Sequence, residues 1–414
     1  MLPFSQKPHS KFSFFIFSFC VCQLVVLNSG FELDESLTYI WPLPSEFKSG
    51  NETLTVDPTL SLSVLGKGGD LKILREGFER YKKIIFKHVS GVSIFEKWIG
   101  IRSVYDISEL RIIVNSDSEE LQLGVDESYT LSVAKNDGKS IVGEATIEAN
   151  TVYGALRGLE TFSQLCAFDY GTKSVQVYKA PWYIQDKPRF AYRGLLLDTS
   201  RHYLPIDVIK QIIESMSYAK LNVLHWHIID EQSFPLEVPT YPDLWKGSYT
   251  KWERYTVEDA SEIVSFAKMR GIHVMAEVDV PGHAESWGAG YPDLWPTSSC
   301  REPLDVSKNF TFDLISGILS DIRKIFPFEL FHLGGDEMAD TSNVQQTIWP
   351  RAAAAAERLW SKREPVSARN ITLTALPRYQ YFRCLLNRRG VQAAPATNKY
   401  ARSPPNGPGS CYEQ

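Results

Sequence analysis

From Phe190 onward, short apolar runs alternate with longer stretches whose apolar residues recur at helical spacing. The runs are "YRGLLLDTS", "NVLHWHIID", "IHVMAEVDV" and "FELFHLGGDE". The stretches between them are "PIDVIKQIIESMSYAK", "TVEDASEIVSFAKMR" and "FDLISGILSDIRKIF". Such alternation predicts a parallel sheet covered by helices. Upstream the rhythm differs. "LSLSVLG" and "LRIIVNS" read as strands, and "YTLSVAKNDGKSIVGEAT" as a hairpin turning at Asn136-Asp137-Gly138. "DLKILREGFERYKKIIFKH" and "NTVYGALRGLETFSQLC" read as helices, the second with Asn150 as N-cap. The expectation is a small α+β domain over residues 31–185 and a second domain over 186–414, with Pro181 and Pro188 at the boundary.

The polar residues of the second domain gather at the C-terminal ends of its strands. They are Asp198 and Arg201, then Asp230, then Asp279 and His283, then Asp336 and Glu337. Four loaded strand ends predict the active face of a (β/α)8 barrel rather than a doubly wound sheet, which binds only at its switch point. Asp336 and Glu337 follow Gly334-Gly335, where the backbone can turn both carboxylates toward one pocket. Two close carboxylates do not ionise together, so one stays protonated as a general acid while the other keeps its charge.

Composition narrows the partners. The net charge is −5 with no basic block, which argues against nucleic acid and anionic membranes. Lys7 and Lys11 precede the apolar run Phe12 to Leu27, followed by Ser29 and Gly30. That pattern predicts a cleaved signal over residues 1–30, the alternative being an uncleaved anchor, for which the run is a little short. Sequons at Asn51, Asn309 and Asn370 agree with a secretory route ending in vacuole, cell wall or extracellular space. Cys20 and Cys22 would leave with the signal. Cys384 and Cys411 bracket a Pro/Gly-rich tail that a disulfide would tie down. No cysteine spacing matches a zinc site, and His225 and His227, flanking Trp226, read as packed strand residues. Neither metal nor cofactor is expected.

Four motifs in order, "RGLLLDTSRHYLP", "LNVLHWHIIDEQSFPLE", "AEVDVPGHAESWG" and "FHLGGDE", resemble those of family 20 glycoside hydrolases, the β-N-acetylhexosaminidases. "IWPRAAAAAERLWS" and "RYQYFRCLLNRRGV" resemble the end of the plant enzymes. The resemblance implies Glu337 as general acid and Asp336 as holder of the substrate's 2-acetamido group, whose carbonyl attacks the anomeric carbon. This is the substrate-assisted route to retention. It implies Arg201 on the sugar's 3- and 4-hydroxyls, the alternative being a buried salt bridge to Asp198. Asp230 and His283 would brace the pocket, with His283 a candidate partner of Asp336. N-glycans and chito-oligosaccharides are the implied substrates, and a homodimer the candidate assembly. Chitinases, also barrel hydrolases, carry a spaced acidic run on the fourth strand that "HLGGDE" lacks.

A (β/α)8 barrel needs about 250 residues. Only four strands are legible before "MADTSNVQQTIWPRAAAAAERLWSKRE", which resembles the segment around the eighth helix. The expected fold is therefore a barrel-family chain with its first four strands and last helix, internally deleted after Glu337. The deletion would remove the family's tryptophan-lined acetamido cage and the usual partner of Cys300. An alternative role follows: a catalytically impaired variant that binds glycans.

Overall fold

The computed structural model describes residues 38–68, 71–89, 105–136, 141–332, 344–361 and 371–396. The upstream region is built on β1 (Glu46–Lys48), β2 (Glu52–Gly66), β3 (Ile107–Val114), β4 (Tyr129–Asn136), β5 (Ile141–Ala149), β6 (Cys166–Asp169), β7 (Ser174–Ala180) and β8 (Trp182–Asp186). They form one mixed sheet in the order β1-β8-β4-β5-β3-β2-β7-β6. Two helices, α1 (Lys72–Ile85) and α2 (Val152–Leu165), accompany it. They cross closely: a Cβ on Gly77 would come within 2.5 Å of Leu156 Cδ2, so this position accepts only glycine without repacking.

The hairpin joins β4 to β5 in antiparallel register, from Tyr129↔Ala149 to Asn136↔Ile141. Its turn residues Asp137 and Gly138 lie outside the described residues. The cap of α2 departs from expectation. Thr151, not Asn150, is the N-cap, and its Oγ1 accepts from the Gly154 amide at 3.2 Å. Asn150 instead donates its side-chain amide to Asp126 Oδ2 at 2.7 Å. Both residue types cap well, and the partner waiting at Asp126 decides between them.

Downstream, β9 (Gly194–Asp198), β10 (Val223–Ile229) and β11 (His273–Val278) form a parallel sheet with β10 in the centre. Helices α3 (Ile206–Tyr218) and α4 (Val257–Lys268) make the crossovers, and α5 (Asn309–Ile325) follows β11. A capping box starts α4: Thr256 Oγ1 accepts from the Asp259 amide at 3.1 Å, and Asp259 accepts from the Thr256 amide at 2.9 Å. The barrel expectation is met in part. The fourth strand, described as far as His332, makes a single parallel bridge, Glu277↔His332. Among the described residues the parallel sheet has three full strands and does not close.

The two regions meet through buried charge. Glu127 Oε2 accepts from Arg157 Nε at 2.7 Å and Arg193 Nη2 at 2.5 Å, and Arg157 Nη2 also donates to the Gly271 carbonyl at 2.9 Å. Gly271 has φ +67, which suits glycine between α4 and β11. Beside this cluster Lys220 Nζ, fully buried, donates to Asp186 Oδ2 at 3.0 Å and Tyr129 Oη at 2.8 Å. The chain closes with α6 (Val344–Ile348), α7 (Arg351–Trp360) and α8 (Ile371–Arg388). These hold the first described residues in place. Trp41 Nε1 donates to the Ala353 carbonyl at 2.9 Å, and Arg378 donates to the carbonyls of Thr38 and Ile40 at 3.0 and 2.9 Å. Cys384 is disulfide-bonded, whereas Cys166 and Cys300 are free thiols. The Cys411 half of the expected pair lies outside the described residues, as do the signal segment and Asn370. Asn51 and Asn309 are exposed. No helix among the described residues is long and apolar enough to cross a membrane.

Candidate active site

Strand alternation sorts the parallel sheet into two faces. Trp226 packs edge-on against Tyr255 and against Phe326 at the end of α5, on the helix side. His225 and His227, its neighbours on β10, therefore point to the opposite face. Low on that face Val223, Met275 and Phe328 form a small apolar cluster. Toward the strand ends the face turns polar. In-register pairing aligns Asp198, His227, Glu277 and His332 in one row across the four strands.

The row is connected. His227 Nε2 lies 2.7 Å from Asp230 Oδ2, and His227 Nδ1 lies 3.0 Å from Glu277 Oε2. Glu277 also meets His225 Nε2, and its Oε1 lies 3.1 Å from His332 Nδ1. Burial pulls the His227 imidazole down, but the bonds to Asp230 and Glu277 outweigh it and push its pKa up to about 9. His227 is thus an imidazolium at neutral pH, donating through Nε2 to Asp230 and charge-paired through Nδ1 with Glu277. Burial pushes the Glu277 carboxyl up, yet the bonds from His225 and His227 hold it well below the usual carboxylate range.

Arg201 sits in the turn after β9. Asp198 Oδ1 accepts from the Ser200 and Arg201 amides, both at 3.0 Å, which folds the "DTSR" turn back on the strand. The Arg201 guanidinium is clamped by two carboxylates: Nη1 lies 2.9 Å from Asp198 Oδ2 and Nη2 lies 2.7 Å from Asp230 Oδ2. The salt bridge to Asp198 weighed from the sequence is therefore present. Its side chain is 9% exposed, so it is a rigid donor group rather than a mobile surface arginine. Asp230 is fully buried; burial pushes its carboxyl up, but His227, the Glu231 amide and Arg201 together hold it low.

His283 closes the group. Its Nδ1 lies 3.2 Å from Asp230 Oδ1, and its backbone adopts φ +55, an unusual conformation outside glycine. Burial lowers its pKa, but the charge and hydrogen bond of Asp230, with the charge of Asp279, together outweigh it and raise it. Asp279 is buried and shifted upward by that burial. Arg201, Asp230 and His283 thus come together in one cluster. Asp336 and Glu337 lie outside the described residues, and so does any contact between Asp336 and His283.

Two participants escaped sequence reasoning. Glu277 lies between apolar residues in "HVMAEVDV", and the cue to it is alternation: it shares a face with His273 and Met275 and pairs in register with His227. Tyr249 comes from the loop after β10, and its hydroxyl donates to the Arg201 carbonyl at 3.0 Å. The arrangement supplies a fixed guanidinium and a half-exposed imidazole over a floor of compensated charge, suited to gripping a neutral polyhydroxylated ligand.

Residues 190–342 match the glycosyl hydrolase family 20 catalytic domain, and residues 40–165 match the domain described as beta-acetyl hexosaminidase like. Beta-hexosaminidase 1 of Arabidopsis thaliana is 58% identical over 514 aligned positions, covering 92% of this chain and 95% of that protein. Those positions outnumber the residues this chain contributes by well over a hundred. Beta-hexosaminidase 3 of the same plant is 39% identical, covering 93% of this chain and 96% of its own length. Among solved structures, a chitobiase of Flavobacterium johnsoniae superposes with a TM-score of 0.62 at 26% identity, covering 87% of this chain and 52% of that one. The chain thus spans about half to two thirds of the length of the solved structures compared. On these matches, the chain belongs to glycosyl hydrolase family 20, the family of the β-hexosaminidases.

Proposed function

We propose that the chain is a β-hexosaminidase removing terminal non-reducing N-acetylglucosamine or N-acetylgalactosamine from glycans and chito-oligosaccharides. The observation that carries this reading is 58% identity, across 92% of the chain, to a protein named beta-hexosaminidase 1. The clamped Arg201 supports it. A guanidinium held by Asp198 and Asp230 can meet two adjacent sugar hydroxyls without paying the entropy of a free side chain. In this reading Glu337 protonates the leaving oxygen. Asp336 orients the acetamido group and stabilises the charge that develops on it. Asp230 and His283 keep Arg201 aligned. The exposed Asn51 and Asn309 suit glycosylation in the secretory pathway.

The excess of aligned positions favours a second reading. More than a hundred aligned positions have no residue of this chain, and the sequence motifs point to a single interval after Glu337. A chain lacking it would bind a terminal sugar through Arg201 without turning it over.

The test is hydrolysis of a chromogenic N-acetyl-β-glucosaminide by the purified 414-residue chain. Turnover that falls by a factor of about 10² to 10⁴ in Glu337→Gln, the range for loss of a general acid, supports the enzyme. Turnover unchanged by Glu337→Gln refutes the acid assignment. Saturable sugar binding without turnover supports the second reading.

A further inference from the structure

We infer that His225, Glu277 and His332 form a binding site for a divalent transition-metal ion of the zinc class. Glu277 and His332 are register partners on adjacent strands, and His225 shares their face on β10. Glu277 Oε1 lies 3.1 Å from His332 Nδ1, and its carboxylate also touches His225 Nε2. The two imidazole rings lie 4.3 Å apart between centroids. One ligand atom from each residue falls within 4.8 Å of the other two. Ligand atoms around a tetrahedral zinc ion stand roughly 3.4 Å apart, given bonds of about 2.0–2.2 Å. Small side-chain rotations therefore complete the site, with no movement of the strands.

The donor set fits that class of ion. Two imidazoles and a carboxylate, with a fourth position left to water, make up an open zinc site. The imidazole nitrogens that now face Glu277 would present bare lone pairs once their protons sit on the opposite ring nitrogens. Access exists, because the His332 side chain is 39% exposed. The outer shell is also built. His227 Nδ1 lies 3.0 Å from Glu277 Oε2 as its charge partner, while His227 Nε2 is held by Asp230.

A neighbouring group, His227, Asp230 and Asp279, has comparable spacing. It is the poorer candidate, because Asp230 Oδ2 is already taken by both Arg201 and His227, at 2.7 Å each, whereas Glu277 Oε1 faces His332. Sequence spacing did not suggest the chosen triad, because its members come from three strands spread between positions 225 and 332.

The experiment uses the full chain stripped with a chelator, titrated with ZnCl2 by calorimetry and with CoCl2 by visible absorption. One zinc ion per chain is expected, along with the intense bands of four- or five-coordinate cobalt. His332→Ala, at the exposed edge, should weaken zinc binding at least about tenfold, as should His225→Gln. No stoichiometric binding overturns the proposal, as does an affinity unchanged in both variants. Zinc-edge X-ray absorption on the wild-type chain needs no variant to fold: two imidazoles in the first shell support the site, and none refutes it.

Discussion

Asp230 Oδ2 stands 2.7 Å from Arg201 Nη2 and 2.7 Å from His227 Nε2, so one buried oxygen fixes both the guanidinium and the imidazolium of the polar row. Asp230→Asn keeps the shape and removes the charge. It should cost about 2 kcal/mol of sugar binding, a roughly 30-fold rise in the inhibition constant of a neutral N-acetylhexosamine analogue. Competition assays on the folded variant measure this. An unchanged constant would mean that Arg201 needs no such anchor.

Lys220 and Asp186 form a fully buried pair joining the two regions. Removing one partner leaves the other charge without compensation. Lys220→Met alone should therefore destabilise the chain by about 3–5 kcal/mol. Adding Asp186→Asn should recover a large part of that loss, because the stranded carboxylate is gone. Denaturant unfolding of the two single variants and the double variant gives the coupling energy directly.

His273 opens β11 and stacks on Phe328 with ring centroids 4.1 Å apart. Burial pulls its pKa down from 6.5 to about 4. Neutral His273 is therefore favoured by the fold. Its contribution to stability is complete above about pH 6.5 and is lost as pH falls through 4. His273→Phe should flatten the decline of unfolding free energy across that window relative to wild type. Parallel curves for the two proteins would reject the assignment.

The capping box at α4 offers a smaller and cleaner test. Thr256→Ala should cost about 1 kcal/mol in unfolding free energy. Asp259→Ala should cost less when added to it than alone, because the two caps are reciprocal. Full additivity in denaturant melts would contradict the observed pairing.

Elements defined by local periodicity were legible in the sequence. The helices α3, α4 and α5 fall on the stretches read as helical, and β9, β10 and β11 on the apolar runs between them. The clustering of Arg201, Asp230 and His283 was legible as well, because residues at the C-terminal ends of neighbouring parallel strands lie close together. Contacts that depend on register were not. Nothing near Glu277 in the chain announces three histidines around it, since those partners lie on neighbouring strands. The same holds for Glu127, whose partners Arg157 and Arg193 lie 30 and 66 residues away. The cap of α2 turned on a tertiary partner, Asp126, that no capping preference encodes.

The strap formed by Thr38, Ile40 and Trp41 on Ala353 and Arg378 has a consequence for synthesis. These contacts span 312 to 340 residues of chain. On a ribosome the earliest of these residues emerge long before their receptors exist. The eight-stranded sheet can assemble while translation proceeds, and Gln164 can already pair with the Trp41 backbone, but the Trp41 indole and the Thr38 and Ile40 carbonyls wait for the final helices. A ribosome stalled before α7 would therefore hold a nascent chain whose Trp41 indole still lacks its acceptor at Ala353.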